Sequence, residues 1–389
     1  MPLQSKLPDV GTTIFTVMSR RARELGALNL GQGFPDYDID PRLTELVSAA
    51  MTEGFNQYAP MEGVMALREQ IARKLHVSYG VQPSAEAEVT VTLGATEAIY
   101  CAVQALVKPG DEAIVFDPSY DSYDPAVRLA GAKCVHLPLM PPTFRYDWER
   151  VAASITDRTR LIMINTPLNP ACTVATRADL DTLAALIRNR NIYVISDEVY
   201  EHVVYDGRPH ASVLSQPELR ERSFAVFSFG KTLHATGIRV GYAIAPAELT
   251  RELRKVHQFN TFSIAHPLQH AIAQYLIEKP DCGRDLPEFF QSKRDRVRAA
   301  LDGTLFRVPP AQGTYFQLIE YSAISKADDV AFAERLLTEA GVATIPLSPF
   351  YKEPPKLTVL RLCIAKRDQT LDDAVARLHA FANGLEEAG

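Results

Sequence analysis

The sequence predicts an α/β protein, with a large domain around a mostly parallel sheet and a smaller α+β domain beside it. Three observations carry this. Between residues 88 and 245 short apolar runs alternate with helix-length segments, the pattern of βα units. The runs are apolar at successive positions, or nearly so, as a sheet covered by helices on both faces requires. A chain of 389 residues also exceeds one ordinary hydrophobic core and divides into two.

In chain order, residues 11–26 predict a helix, followed by the Gly- and Pro-rich segment Gly31-Gln32-Gly33-Phe34-Pro35-Asp36. Strands of the buried type are expected at 88–93, 113–116, 161–164, 192–195 and 225–227. Beyond residue 286 the pattern predicts a helix at 293–301, strands at 315–319 and 357–364, and a final helix at 371–385. Residues 44–285 are assigned to the large domain, and residues 1–43 and 286–389 to the small one.

Composition narrows the function classes. Hydrophobic residues make up 47% and charged residues 23%, as in globular proteins. A net charge of −6 favours neither nucleic acid nor an anionic membrane surface. No uncharged apolar run is long enough for a membrane span, and the opening residues lack the apolar stretch of a secretory signal. The five cysteines are scattered, odd in number and free of CxxC pairs, so no disulfide framework is expected and a reducing, cytoplasmic home fits best. His266 and His270 have helical i,i+4 spacing but no acidic third ligand nearby, so no metal is expected.

The residues after the five strands carry the chemistry. They are Gly94-Ala95-Thr96-Glu97, Asp117-Pro118-Ser119-Tyr120, Asn165-Thr166-Pro167-Leu168-Asn169-Pro170, Ser196-Asp197-Glu198-Val199-Tyr200 and Ser228-Phe229-Gly230-Lys231-Thr232. Ligands in open α/β sheets sit beyond the carboxyl ends of the strands, so one site built from all five is the economical reading. Lys231 is a candidate amine nucleophile toward an aldehyde; alone, it reads equally as a solvated lysine. Asp197 ends an apolar strand, where a bare carboxylate is costly. A protonated pyridine nitrogen would satisfy it, and so would the cap of a following helix. Tyr200 offers a phenol to a ring oxygen, or simply packs. The Gly94-Ala95-Thr96 turn opens a helix whose free N–H groups suit an anion, and Ser228 and Arg239 add a hydroxyl and a charge. Tyr120 suits stacking on a flat ring, and Asn169 offers an amide. Arg361, charged within an apolar strand, suits either a bidentate grip on a carboxylate or an internal ion pair.

Together and in this order these segments resemble the fold-type I, class I/II aminotransferases, which use pyridoxal 5′-phosphate (PLP). Also matching are Asn29 to Asp36, Asn56-Gln57-Tyr58 and Gly237-Ile238-Arg239-Val240-Gly241. The branch of methionine and kynurenine (glutamine) aminotransferases is the most similar, on Phe116-Asp117-Pro118-Ser119-Tyr120-Asp121-Ser122-Tyr123 and Val256-His257-Gln258.

The resemblance implies a seven-stranded sheet and a homodimer with shared active sites. It gives Lys231 the Schiff base and the proton transfer, pairs Asp197 with the pyridinium, and sets Asn169 and Tyr200 on the ring oxygen. Tyr120 would stack on the ring. Ser228, Arg239, Ala95, Thr96 and the neighbouring subunit's copy of Tyr58 would hold phosphate. Arg361, Asn169 and the Gly33 backbone would hold the substrate carboxylate, within a pocket of Phe15, Tyr58, Tyr120 and Phe262. Some relatives have Trp at the position of Phe15 and His at that of Ser263, so a strictly kynurenine-type pocket is not implied. The expected reaction is ping-pong transfer of an amino group from methionine, or from phenylalanine, tyrosine, glutamine or kynurenine, to a 2-oxo acid.

Two other enzyme readings compete. A PLP cysteine-S-conjugate β-lyase would use the same lysine and aspartate, and products alone separate it from a transaminase. A nucleotide-binding oxidoreductase needs GxGxxG opening a helix after a strand, which Gly31-Gln32-Gly33-Phe34-Pro35-Asp36 does not supply. A non-enzymatic regulator would carry a fused DNA-binding module, for which 389 residues leave no room.

Overall fold

The structure, a computed structural model, describes residues 4–386. Its strands are β1 (Leu28–Asn29), β2 (Val89–Thr92), β3 (Glu112–Asp117), β4 (Lys133–Pro138), β5 (Thr159–Asn165), β6 (Tyr193–Asp197), β7 (Ser223–Ser228), β8 (Gly241–Ile244), β9 (Phe316–Glu320), β10 (Val342–Ala343), β11 (Ile345–Pro346) and β12 (Val359–Cys363). The large sheet has seven strands in the order β2-β8-β7-β6-β5-β3-β4. Strand β8 runs antiparallel to both of its neighbours, and the remaining pairs are parallel.

The expected double-sided burial has a direct counterpart. Val115, Met163, Ile195 and Val226 pack on one face with Ala98, Ala102 and Val103 of the helix Gly94–Leu106. Ile114, Ile164, Val194 and Phe227 pack on the other face. Side chains alternate across a strand, so a strand buried on both faces reads as a continuous apolar run.

Two strands of this sheet lay outside the sequence expectation. Strand β4 is one of the two edge strands and is only partly buried, so its Lys133 and His136 hide the apolar signal. Strand β8 opens on Gly241, where a Cβ would stand 2.7 Å from the Phe227 carbonyl oxygen and 2.8 Å from the carbonyl carbon of Gly94. That close approach needs glycine, and it locks β8 against the turn that begins the helix Gly94–Leu106.

The chain ends build a second unit. Strands β11, β12 and β9 form an antiparallel sheet in that order. In the N-terminal segment β1 pairs parallel with β10 in a separate two-stranded sheet. The first helix, Ile14–Glu24, is capped by Thr13, whose hydroxyl accepts from Thr16 N–H. The helices Leu286–Leu301 and Asp368–Glu386 pack together beside the small sheet. None of the helices is long and apolar enough to cross a membrane, among the described residues.

Candidate active site

The carboxyl ends of the parallel strands meet at one cleft. It is lined by Ala95, Thr96, Tyr120, Asn165, Asn169, Asp197, Val199, Tyr200, Ser228, Lys231 and Arg239. Gly94 makes the first turn at φ +72°, and a Cβ there would lie 2.6 Å from Arg239 Nη2. The turn therefore brings a guanidinium against the N-terminus of the helix Gly94–Leu106, whose unpaired N–H groups face the cleft. Glu97 anchors that first turn, accepting from Leu93 N–H at 3.1 Å and pairing with His257 Nδ1 at 2.8 Å. Thr96 Oγ1 lies 3.4 Å from the Tyr120 hydroxyl. At the next strand ends, Asn165 donates to the Asp197 carbonyl at 2.8 Å and accepts from Asn169 N–H at 2.9 Å. This ties β5 to β6.

Asp197 is buried, and its carboxylate accepts from the Tyr123 hydroxyl at 2.7 Å and from Val199 N–H at 3.4 Å. No cation lies within ion-pair distance of it among the described residues. Burial pushes its carboxyl up to about 6, against the pull of these hydrogen bonds. A turn, not a helix, follows Asp197, so helix capping does not account for it. Lys231 sits in the short helix Phe229–Thr232 and opens partly to the cleft. Its surroundings exclude water and push the amine down to about 8. Its Nζ donates to the Tyr315 hydroxyl at 2.8 Å, and Tyr315 donates to the Gly33 carbonyl at 2.6 Å.

Arg361, on β12, is fully buried. Its guanidinium donates to Asn169 Oδ1 at 2.6 Å and to the Gly31 carbonyl at 2.9 Å, and its Nε has no partner. It lies 3.8 Å from the Phe316 ring centre and 5.0 Å from that of Phe15. No Asp or Glu pairs with it among the described residues, so the internal ion pair is not what holds it there. A buried cation without an anion is costly, and this arrangement suits an anion arriving from outside. With its oxygen held by Arg361, Asn169 keeps its amide N–H groups for the cleft.

The structure thus brings Ala95, Thr96, Tyr120, Asn169, Asp197, Tyr200, Ser228, Lys231 and Arg239 to one cleft. Arg361, Phe15 and Gly33 lie beside it. Tyr58 and Phe262 are not brought there within one chain. They pack edge to face at 5.3 Å and are 82% and 45% exposed. Residues missed from sequence are Asn165, Tyr123, Tyr315 and Phe316. Asn165 and Tyr123 stand in segments whose motif was legible. Tyr315 and Phe316 read as ordinary strand residues and gave no signal. Two groups of candidate metal ligands lie away from the cleft, Glu97, Cys101 and His257, and Asp124, Cys134 and His136. Cys101 and His257 hydrogen-bond to Glu97 in the first group, and His136 hydrogen-bonds to Asp124 in the second.

Residues 26–378 match the family model of aminotransferases of class I and II. The methionine aminotransferase of Escherichia coli (strain K12) is 52% identical over 375 residues, covering 96% of this chain and 97% of that enzyme. A crystal structure from Escherichia coli, described as identifying a methionine aminotransferase function, superposes with a TM-score of 0.95 at 50% identity, covering 98% of this chain and 100% of the other. Kynurenine–oxoglutarate transaminase 3 of Rattus norvegicus is 31% identical, over 95% of this chain and 88% of that enzyme.

Members of this family use PLP, and the residues present fit it. The buried Asp197 carboxylate has no cation of its own, the Lys231 amine is depressed, and the Gly94 turn with Arg239 and Ser228 leaves a cradle that a Cβ would fill. By the family match over most of its length and its identity to the curated relatives, the chain belongs to the class I and II aminotransferases, enzymes that move amino groups between amino acids and 2-oxo acids with PLP.

Proposed function

We propose that this aminotransferase takes amino groups from methionine and other apolar or aromatic amino acids, in a ping-pong cycle. The observation that carries the reading is Arg361, a buried guanidinium with an unpartnered Nε, set between two aromatic rings. Its planar donors suit the α-carboxylate common to both substrates. Phe15 and Phe316 give the adjoining surface an aromatic character, which suits a polarizable thioether. The 52% identity to a methionine aminotransferase supports the same choice.

The bound PLP supplies an electron sink for the electrons of the substrate Cα–H bond. Lys231 would hold the cofactor through its amine and, when freed, would move the proton at Cα. Asp197 would keep the ring nitrogen protonated, as its uncompensated burial favours. Tyr200 and the Asn169 amide would serve the ring oxygen, and Tyr120 would stack on the ring. Ser228, Arg239, Thr96 and the backbone at Ala95 would hold the phosphate. Arg361, with Asn169 and the Gly33 segment, would orient the substrate carboxylate.

Tyr58 and Phe262 serve the site of a second copy. Their exposure away from their own cleft supports a homodimer with shared sites. The division into residues 44–285 and residues 1–43 with 286–389 is supported by the separate three-stranded sheet. Five free cysteines suit a reducing cytoplasm.

Donor amino acids assayed against several 2-oxo acids test the specificity. Methionine, phenylalanine, tyrosine and glutamine are expected above aspartate in kcat/KM. The cations at and beside the cleft, Lys231, Arg239 and Arg361, already have other tasks. An aspartate side chain would thus add an unpaired carboxylate to the pocket, a desolvation cost without compensation. Aspartate as the best donor would overturn the apolar pocket.

A further inference from the structure

We infer that Tyr315 is a positioning residue of the active site, which seats the amine of Lys231 and couples it to the segment that forms the substrate wall. This rests on the reading of Lys231 as the amine that holds the cofactor. The argument is one of donor counting. A phenol has a single proton and two acceptor lone pairs. The Tyr315 hydroxyl gives its proton to the Gly33 carbonyl at 2.6 Å, so toward Lys231 Nζ, at 2.8 Å, it can only accept.

The seat is rigid. Tyr315 is 1% exposed. Its ring is boxed by Tyr200 at 5.0 Å, Phe316 at 4.9 Å and Phe290 at 5.6 Å between ring centres. Burial raises the phenol well above its ordinary range, so it stays neutral and keeps its proton, donated to the Gly33 carbonyl.

A lysine side chain is long and flexible. Once the substrate displaces it from the cofactor, its amine needs one fixed place from which to move the proton, because misplacement of a catalytic group is costly in rate. Tyr315 supplies that place. Gly33 adjoins Gly31, whose carbonyl accepts from Arg361, so the same short segment touches both the amine seat and the carboxylate grip.

The test is Tyr315→Phe in the holoenzyme, which removes the oxygen and keeps the ring, assayed with excess PLP. Turnover with methionine should fall about tenfold or more, with KM within about threefold, as for the loss of one hydrogen bond to a charged group. The kinetic isotope effect with α-deuterated methionine should rise, because proton transfer becomes slower relative to the other steps. The spectroscopic pH titration of the lysine-bound cofactor should move to lower pH, since the protonated nitrogen loses an acceptor.

A second comparison separates seating from shaping. In a Lys231→Ala background rescued by methylamine, adding Tyr315→Phe should change the rate less than about twofold. An equal loss in both backgrounds would overturn the inference, as would a Tyr315→Phe enzyme with unchanged turnover and an unmoved titration. If the native enzyme and Lys231→Ala gave the same cofactor spectrum, the reading of Lys231 itself would fail.

Discussion

The floor of the cleft takes Tyr120, Asn169, Asp197 and Lys231 from the ends of successive strands of one sheet. The wall beside it takes Phe15 from the first helix, Gly31 and Gly33 from the segment after β1, Tyr315 and Phe316 from the start of β9, and Arg361 from β12. The floor is set by a single hydrogen-bonded lattice buried on both faces, so its groups hold fixed distances. The wall lies where the small sheet meets the large unit. Its groups reach the floor through side-chain hydrogen bonds, Tyr315 to Lys231 and Arg361 to Asn169, and not through pairing with the large sheet. Electron-sink chemistry demands the first kind of construction, and a site that admits two substrates in turn benefits from the second.

The largest expected effect breaks the floor. Lys231→Ala should abolish transamination, because no other cleft residue offers an amine to hold the aldehyde and carry the proton. Near-normal turnover would sink the assignment. The same variant probes the dimer. Mixed with Tyr58→Phe subunits, it should regain activity, since each heterodimer would contain one site free of both changes. No recovery, with subunit exchange verified, would mean that Lys231 and Tyr58 act within one subunit.

The next effect falls on the wall. Arg361→Lys keeps a positive charge but loses the planar fork. It should lower kcat/KM for methionine about a hundredfold, or about 2.7 kcal/mol, chiefly through KM, while cofactor binding stays intact. A comparable loss of cofactor retention would mean that floor and wall are not separable.

The smallest effect concerns stability of the floor alone. In the cofactor-free protein the folded carboxyl of Asp197 titrates at about 6, above its ordinary 3.8. The folded state therefore holds this proton more tightly than the unfolded chain. Its stabilising contribution is present below pH 4 and is lost as pH rises toward 6. At pH 8 the buried charge should cost on the order of 1–3 kcal/mol. Asp197→Asn without cofactor should then melt above the native protein at pH 8, the gap closing below pH 4, whatever the substitution does to turnover. A gap that did not depend on pH would remove the buried charge as its cause.

The contrast also explains what the sequence revealed. Asp197, Lys231 and Asn169 follow strands whose apolar runs mark their own ends, so local pattern located them. Arg361 was legible because a lone charge interrupts an apolar strand. Tyr315 was not, since a tyrosine opening a strand is ordinary, and its role comes from a hydrogen bond to Gly33, 282 positions away in the chain. Strand β4 was hidden by the polar residues that an edge tolerates, and β8 by its glycine. Tyr58 was legible as part of a motif, yet its own chain gives it no place in the cleft; it packs on Phe262 and stays exposed, as the proposed sharing of sites between two copies would require.

The unpaired guanidinium of Arg361 has a consequence for traffic through the enzyme. A buried guanidinium in the proposed role would recognise only what donor and acceptor have in common. Incoming acid, departing acid and any small carboxylate in the medium would then contend for the same seat. The enzyme's choice of fuel therefore rests on what surrounds that seat, and its throughput on how readily the spent acid lets go.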